Sequence, residues 1–150
     1  MDVRIRAATP GEEETLVLLY EWLFAPPGLR PARWDPAAAV AALREAIDSP
    51  DRSVVLVADD GEALVGFCTA YLDLRSVRFG HRVWVEDLAV DPEHRSRGIG
   101  KRLLDAAKDW GRERSATHLE LDSATSRTDA HRFYERERPS WVTYCFSWEI

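Results

Sequence analysis

A single α/β (α+β) domain is the fold that this sequence of 150 residues predicts, on three observations. Segments with two-residue periodicity alternate with segments of helical periodicity along the chain, the pattern of strands and helices packed in layers. One stretch, Trp84 to Asp109, joins an apolar, β-branched run to an amphipathic helix through a short glycine turn. The length suits one domain with one core, and there are no repeats, linkers or low-complexity runs.

The elements follow in order. Val3 to Ala7 alternates and predicts a short strand. Thr9 is an N-cap candidate ahead of Pro10 and the acidic run Glu12 to Glu14, opening a helix with Leu16, Leu19, Tyr20 and Leu23 on its apolar face. Ala25-Pro26-Pro27-Gly28 ends it. Asp35-Pro36, a cap followed by proline at the first helical position, opens a second helix to about Ile47, with Val40, Leu43 and Ile47 inward. Ser53 to Ala58 reads as a strand, Asp60-Gly61 as the tight turn of a hairpin, and Ala63 to Leu72 as its return. A loop near Arg75 to Gly80 leads into a central strand, 82–90, which Asp91-Pro92 closes. A third helix starts at Gly98-Ile99-Gly100, with Leu103, Leu104, Ala106, Ala107 and Trp110 at helical spacing. Thr117 to Leu121 predicts another strand, and Thr125 to Arg127 the start of a fourth helix with Ala130, Phe133 and Tyr134 on one side. Trp141 to Ile150 alternates and predicts a final strand.

Composition narrows the functional classes. Apolar residues make up 45% and charged residues 31%, as in ordinary globular proteins, and no apolar run approaches a membrane span. A net charge of −6 disfavours nucleic acid as the main partner. The start, Met1-Asp2-Val3-Arg4, lacks the basic-then-apolar layout of a signal peptide. Cys68 and Cys145 show no metal spacing; both lie in apolar, strand-like stretches and read as reduced core thiols of a cytoplasmic protein. No metal is expected.

The turn after the central strand carries the chemistry. Strand, basic glycine turn and helix together aim unpaired backbone N–H groups, and the positive end of a helix dipole, at an anion. Gly98 and Gly100 allow close approach, and Arg95, Arg97 and Lys101 add charge. A Walker A loop fails because Lys101 is followed by Arg102, and position 95 is Arg. A Rossmann fingerprint fails because Leu103 stands where its third glycine belongs. What matches is R-x-x-G-x-G at Arg95, Gly98 and Gly100, directly after Leu88-Ala89-Val90-Asp91-Pro92. In that context the stretch strongly resembles the acetyl-CoA pyrophosphate loop of the GCN5-related N-acetyltransferase (GNAT) superfamily.

The resemblance implies the GNAT fold: a mixed, mostly antiparallel sheet of six to seven strands with helices on both faces, in the order β-α-α-β-β-β-α-β-α-β. It implies acetyl-CoA as co-substrate, with acetyl-pantetheine entering where the central strand and the next one splay apart. Leu88, Ala89 and Val90 would pair with the pantetheine amides, and the amides of Arg95, Ser96, Arg97, Gly98, Ile99, Gly100 and Lys101 would wrap the pyrophosphate. Ser123 and Thr128 lie where the family often places a polar residue near the cofactor; helix capping is the simpler account of such residues. The family's leaving-group acid, in the pattern A-x-x-F-Y-E, falls on Tyr134, within Ala130 to Glu135. Its base falls on Glu86, which could otherwise only bind the substrate's charge.

Period two along the central strand puts Trp84, Glu86 and Leu88 on one face and Val85, Asp87 and Ala89 on the other, so Asp87 is expected to cap or pair in the opposite layer. The acceptor pocket implied by the resemblance would be lined by Trp22, Phe24, Trp34, Asp35, Tyr71, Asp73, Trp84 and Glu86. Carboxylates among aromatics suit a small cationic amine.

The implied activity is transfer of acetyl from acetyl-CoA to a primary amine of a small molecule or peptide, by direct attack in a ternary complex. The alternative is a non-catalytic acyl-CoA-binding or sensing module, or a subunit of a protein acetyltransferase complex. Partners are then the amine, no nucleic acid and no membrane, with a homodimer left open. One departure stands out. Arg138 occupies the place of the family's glycine after F-Y-E, so either the turn is rebuilt around Pro139 or Arg138 takes a positive φ.

Overall fold

In the computed structural model, which describes residues 2–150, the chain runs β1 (Arg4–Ala7), α1 (Glu13–Leu19), α2 (Glu21–Phe24), α3 (Pro36–Ile47), β2 (Ser53–Asp59), β3 (Leu64–Leu72), β4 (Arg82–Val90), α4 (Ile99–Glu113), β5 (His118–Glu120) and α5 (Thr128–Arg136). The five strands form one sheet in the order β1-β2-β3-β4-β5. The first three pairings are antiparallel and β4–β5 is parallel. Strand alternation drives a core onto each face. Val54, Leu56, Cys68, Val83 and Val85 pack against Ile99, Leu103, Ala107 and Trp110 of α4. Val55, Val57, Phe67 and Ala89 pack against Leu16, Val17 and Leu43 of α1 and α3. Gly111 permits the first layer, since a Cβ there would sit 2.4 Å from Val83 Cγ2.

The central strand does not keep its alternation. Thr69 pairs with Asp87 but Ala70 pairs with Val85, so Glu86 is the extra residue of a β-bulge. Val83 and Val85 face α4 before the bulge; Leu88 and Val90 do so after it, while Ala89 faces α1 and α3. The bulge thus parts Asp87 from Val85, the neighbour that strict alternation gives it, and leaves Asp87 opposite Thr69 and beside the helical layer of Tyr20. Its cause is the pairing with β3, which local sequence does not encode.

Four other expectations are corrected. Thr9 is not an N-cap: Glu12 precedes α1 and takes hydrogen bonds from Thr9 N (2.7 Å) and Oγ1 (2.9 Å). The predicted first helix is two, α1 and the single-turn α2. The predicted final strand is absent: 141–150 has no ladder partner, and the sheet has five strands instead of six to seven. Arg138 takes one of the two routes the sequence allowed: with φ at 58° it turns the chain in left-handed backbone without glycine, and Pro139 follows. Trp141 lies near His118, at the start of β5 (ring centroids 6.0 Å apart). Cys145 is exposed, against the expected core thiol, whereas Cys68 is buried.

Candidate active site

Strands β4 and β5 are paired only from Arg82 to Trp84. Arg82 pins that short ladder, bonding Asp73 on one side and Glu120 on the other (2.7 Å), with its guanidinium 5.1 Å over the Trp84 ring. Beyond it the two strands separate, and the β5-facing backbone of 85–90 has no strand to pair with. At the far end Asp91 caps a single 3-10 turn, Pro92–His94, by accepting from Glu93 N at 3.0 Å. Ser96 (φ 63°) and Gly98 (φ 77°) then bend the chain sharply into α4, whose first backbone bond is Arg102 N to Gly98 O. The preceding amides, at the positive end of a 15-residue helix, have no intrahelical partner. Gly98 is required by its φ alone, since an added Cβ would meet nothing within 4 Å. Arg95 and Arg97 are exposed and form no ion pair among the described residues, whereas Lys101 pairs with Asp105 at 2.6 Å and Glu137 at 3.5 Å.

A cleft of about 340 Å³ opens at this fork. Glu86, Asp87 and Leu88 form its floor, Tyr20, Phe24 and Trp34 one wall, and Ser123, Arg127 and Tyr134 the other. Arg127 fastens the two walls together by donating from Nη2 to Leu23 O at 2.9 Å. Trp34 stacks on Tyr20 (5.6 Å) and meets Phe24 edge-on (4.7 Å). Glu86 is exposed and steadied by Trp84 Nε1, which donates to Oε2 at 2.8 Å. Asp87 is fixed through one oxygen: Tyr20 Oη donates to Oδ2 at 2.7 Å, Thr69 Oγ1 does so at 3.1 Å, and Asp87 N donates back to Thr69 Oγ1. Ser123 Oγ is fully buried with no hydrogen-bond partner among the described residues, a donor left for a group the cleft would receive.

Burial sets the titration of the site. It pushes Tyr134 up to about 12, helped by Cys68 and opposed by the nearby Arg127 charge, so the phenol keeps its proton near neutrality. It raises Asp87 above the usual carboxylate range against the two hydroxyl bonds. It raises Tyr20 as well, with the Asp87 charge adding to the effect.

Of the sequence candidates, Glu86, Leu88, Ser123, Tyr134, Phe24 and Trp34 meet at this cleft. Ala89 is buried and Val90 half-buried; each contributes backbone along the fork. Thr128 is exposed in the first turn of α5, outside the cleft lining. Trp22 stacks over Phe67 at 6.5 Å and serves the core. Asp35 caps α3 by accepting from Ala37 N at 3.0 Å. Asp73 is committed to Arg82, while Trp84 serves Glu86 and Tyr71 borders a separate shallow groove near the end of α3. The cleft residues that sequence reasoning missed include Arg127, Asp87, which was assigned to the opposite layer, and Tyr20, which packs on the core as expected but also reaches the cleft with its hydroxyl. The bulge hid Asp87. Asp60, Asp91 and His94 lie close together near the turn, but among the described residues no group has the makings of a metal site.

Comparison with known proteins gives the family and the fold. The model of the acetyltransferase (GNAT) family matches residues 16–138. An uncharacterized N-acetyltransferase, YhdJ, of Bacillus subtilis (strain 168) is 40% identical over 75 residues, covering 50% of this chain and 52% of that protein. Streptothricin acetyltransferase of Streptomyces lavendulae is 36% identical over 92 residues, 61% of this chain and 46% of that protein. The matched stretch thus spans about half the length of each relative. A transcriptional regulator from Bacillus halodurans C-125 superposes with a TM-score of 0.84 at 26% identity, covering 99% of this chain and 100% of that one. AAC(6')-Iy in complex with a CoA bisubstrate analogue shares the fold, with a TM-score of 0.84 at 20% identity over 100% of this chain and 99% of that one.

Proposed function

Because the chain belongs to the acetyltransferase (GNAT) family, we propose that it transfers an acetyl group from acetyl-CoA to a primary amine of a small molecule. One observation carries the reading: the fork beside β4 leads from the glycine turn into a cleft that has Glu86 on its floor and Tyr134 on its wall. The residues fit acetyl-CoA. The open edge of β4 at Leu88, Ala89 and Val90 suits an extended amide chain, the amides from Arg95 to Lys101 suit a pyrophosphate, and Ser123 Oγ awaits a partner. When bound, acetyl-CoA supplies the acyl group as an activated thioester.

The chain's own residues then do the rest. Glu86 takes the proton from the acceptor's ammonium, freeing the lone pair that attacks the carbonyl carbon. The C–N bond forms and the C–S bond breaks; Tyr134 gives its phenolic proton to the departing sulfur and is reprotonated by the surplus proton that the new amide nitrogen sheds. Trp84 keeps Glu86 in place, and the aromatic wall with its carboxylates favours a cationic acceptor. The relatives named for streptothricin and for aminoalkylphosphonate acetylation are consistent with such an amine. A second copy of the chain is the partner that the unpaired C-terminal segment fits.

Thiol release from acetyl-CoA against polyamines, aminoglycosides, amino acids and short peptides tests this. Turnover is expected with one acceptor class. Tyr134→Phe should lower kcat by about 10²-fold or more, with acetyl-CoA still bound, and Glu86→Gln should act similarly. If acetyl-CoA raises the melting temperature while no amine gives turnover, the chain is an acyl-CoA-binding module instead.

A further inference from the structure

The hydrogen bond from Arg127 to Leu23 O joins residues 104 positions apart, and the chain at its acceptor end is cut to fit it. Leu23 lies in the single-turn α2, where its carbonyl could accept locally only from residue 26 or 27. Both are proline and have no N–H to give. The next amide, Gly28 N, is spent on Ala25 O at 2.8 Å. Gly28 also clears the room that the guanidinium needs: a Cβ there would sit 1.8 Å from Leu23 O and 2.8 Å from Arg127 Nη2. Its φ is not positive, so close approach alone accounts for this glycine.

The donor end belongs to the helix of the acid. Arg127 stands at the N-cap of α5, and Arg127, Ala130 and Tyr134, at i, i+3 and i+7, make the face that lines the cleft. The Arg127 charge is close enough to oppose the rise that burial imposes on the Tyr134 phenol. No residue of α5 is buried, so core packing does not fix this helix. Its later half rests on α4. There the Phe133 ring lies 3.5 Å from the place of a Gly100 Cβ, and Glu137 lies 3.5 Å from Lys101 Nζ. Its start rests on the wall that carries Phe24, Leu29, Pro31 and Trp34, through Arg127.

We propose that Arg127 is a positioning residue that ties the helix carrying Tyr134 to the acceptor wall, so that the acid is aligned only while the chain from Leu23 to Trp34 is seated. This rests on the acetyl-transfer reading for the role of Tyr134; the tie itself does not depend on it. An acceptor that displaces the wall would then displace the acid as well, and a poor fit would be felt in kcat.

Kinetics and hydrogen exchange on the intact chain test the tie separately. Arg127→Met keeps the stem and removes the donor. In thiol release with the amine that the panel selects, it should lower kcat by about 10²-fold and raise the acceptor KM, with acetyl-CoA affinity changed less than about twofold. Arg127→Lys, which keeps the charge and one donor, should recover about tenfold of that kcat. A residue that only stabilised the fold would lower the melting temperature and leave both constants of the folded enzyme unchanged. Exchange needs no turnover. Arg127→Met should speed it at 20–30 and at 128–136 together, leaving α4 as it was. Gly28→Ala, which intrudes on the same bond from the other side, should speed it at 128–136 likewise, and it stands in if Arg127→Met fails to fold. Unchanged kcat, acetyl-CoA affinity lost in step with kcat, or exchange raised on one side of the cleft alone overturns the tie. Coupled exchange in a chain without turnover leaves the tie standing and removes the acetyl-transfer reading.

Discussion

Glu12 and Asp87 sit in opposite electrical surroundings. Glu12 accepts two hydrogen bonds from the Arg6 guanidinium, both at 2.9 Å, and others from Thr9, which hold its carboxyl down at about 2. Its contribution to stability is therefore complete above the ordinary carboxylate range and is lost as pH falls toward 2. Asp87 has the opposite sign: burial raises it, so its ionisation costs stability as pH rises from the ordinary carboxylate range through its raised value. Thermal melts across pH should show Glu12→Gln less stable than wild type by about 1–2 kcal/mol at neutrality, with the difference vanishing in acid. Asp87→Asn should gain on wild type as pH rises through the upper window; parallel curves for either variant would contradict the assigned environment. Tyr134 could be placed from the sequence because the helix before it is local and strongly patterned. Asp87 could not, because one inserted residue immediately before it in the ladder, Glu86, decides where it points.

Local rules carry the turn between β4 and α4 almost whole. Proline at 92, glycine at 98 and the apolar spacing of α4 each act within a few residues, and the structure reproduces the strand, the turn and the helix that they predict. Asp35 at the start of α3 was equally legible, a cap with its proline beside it. The bulge in β4 was not, since it is a property of two strands in register. Gly98→Ala tests the turn directly. The new side chain meets nothing within 4 Å, so its cost is left-handed backbone, about 1–2 kcal/mol. We expect a lower melting temperature together with weaker acetyl-CoA binding in a thermal-shift titration. A loss of affinity with no loss of stability would mean that the amides, not the bend, are what the glycine protects.

Across the whole molecule, the C-terminal segment is the part whose pattern was legible but whose place was not. Its alternation is that of a strand with one apolar face: Val142, Tyr144, Phe146, Trp148 and Ile150 are all at least 75% exposed, while Cys145 and Ser147 share the other side at 3.7 Å. Alternation states that such a face must be covered; it does not state by which chain. The three aromatic side chains, at about 150–250 Å² each, would bury on the order of 900–1,500 Å² in two reciprocal arms, the scale of a stable dimer interface. Sedimentation should therefore give twice the 17.1 kDa of one chain for wild type and a monomer for Phe146→Asp with Trp148→Asp, positions on which the body of the fold does not rest. A wild-type monomer would oppose the dimer. The fork beside β4 has a consequence of another kind. Sheets ordinarily keep their raw edges at the periphery, where charge, proline or a covering loop guards them. Here a raw edge runs through the interior, open only along a slot between β4 and β5, so the protein's working surface is an unfinished seam. Whatever closes it must be thin and extended and carry its own amides, and for as long as it stays it is one more thread of the sheet.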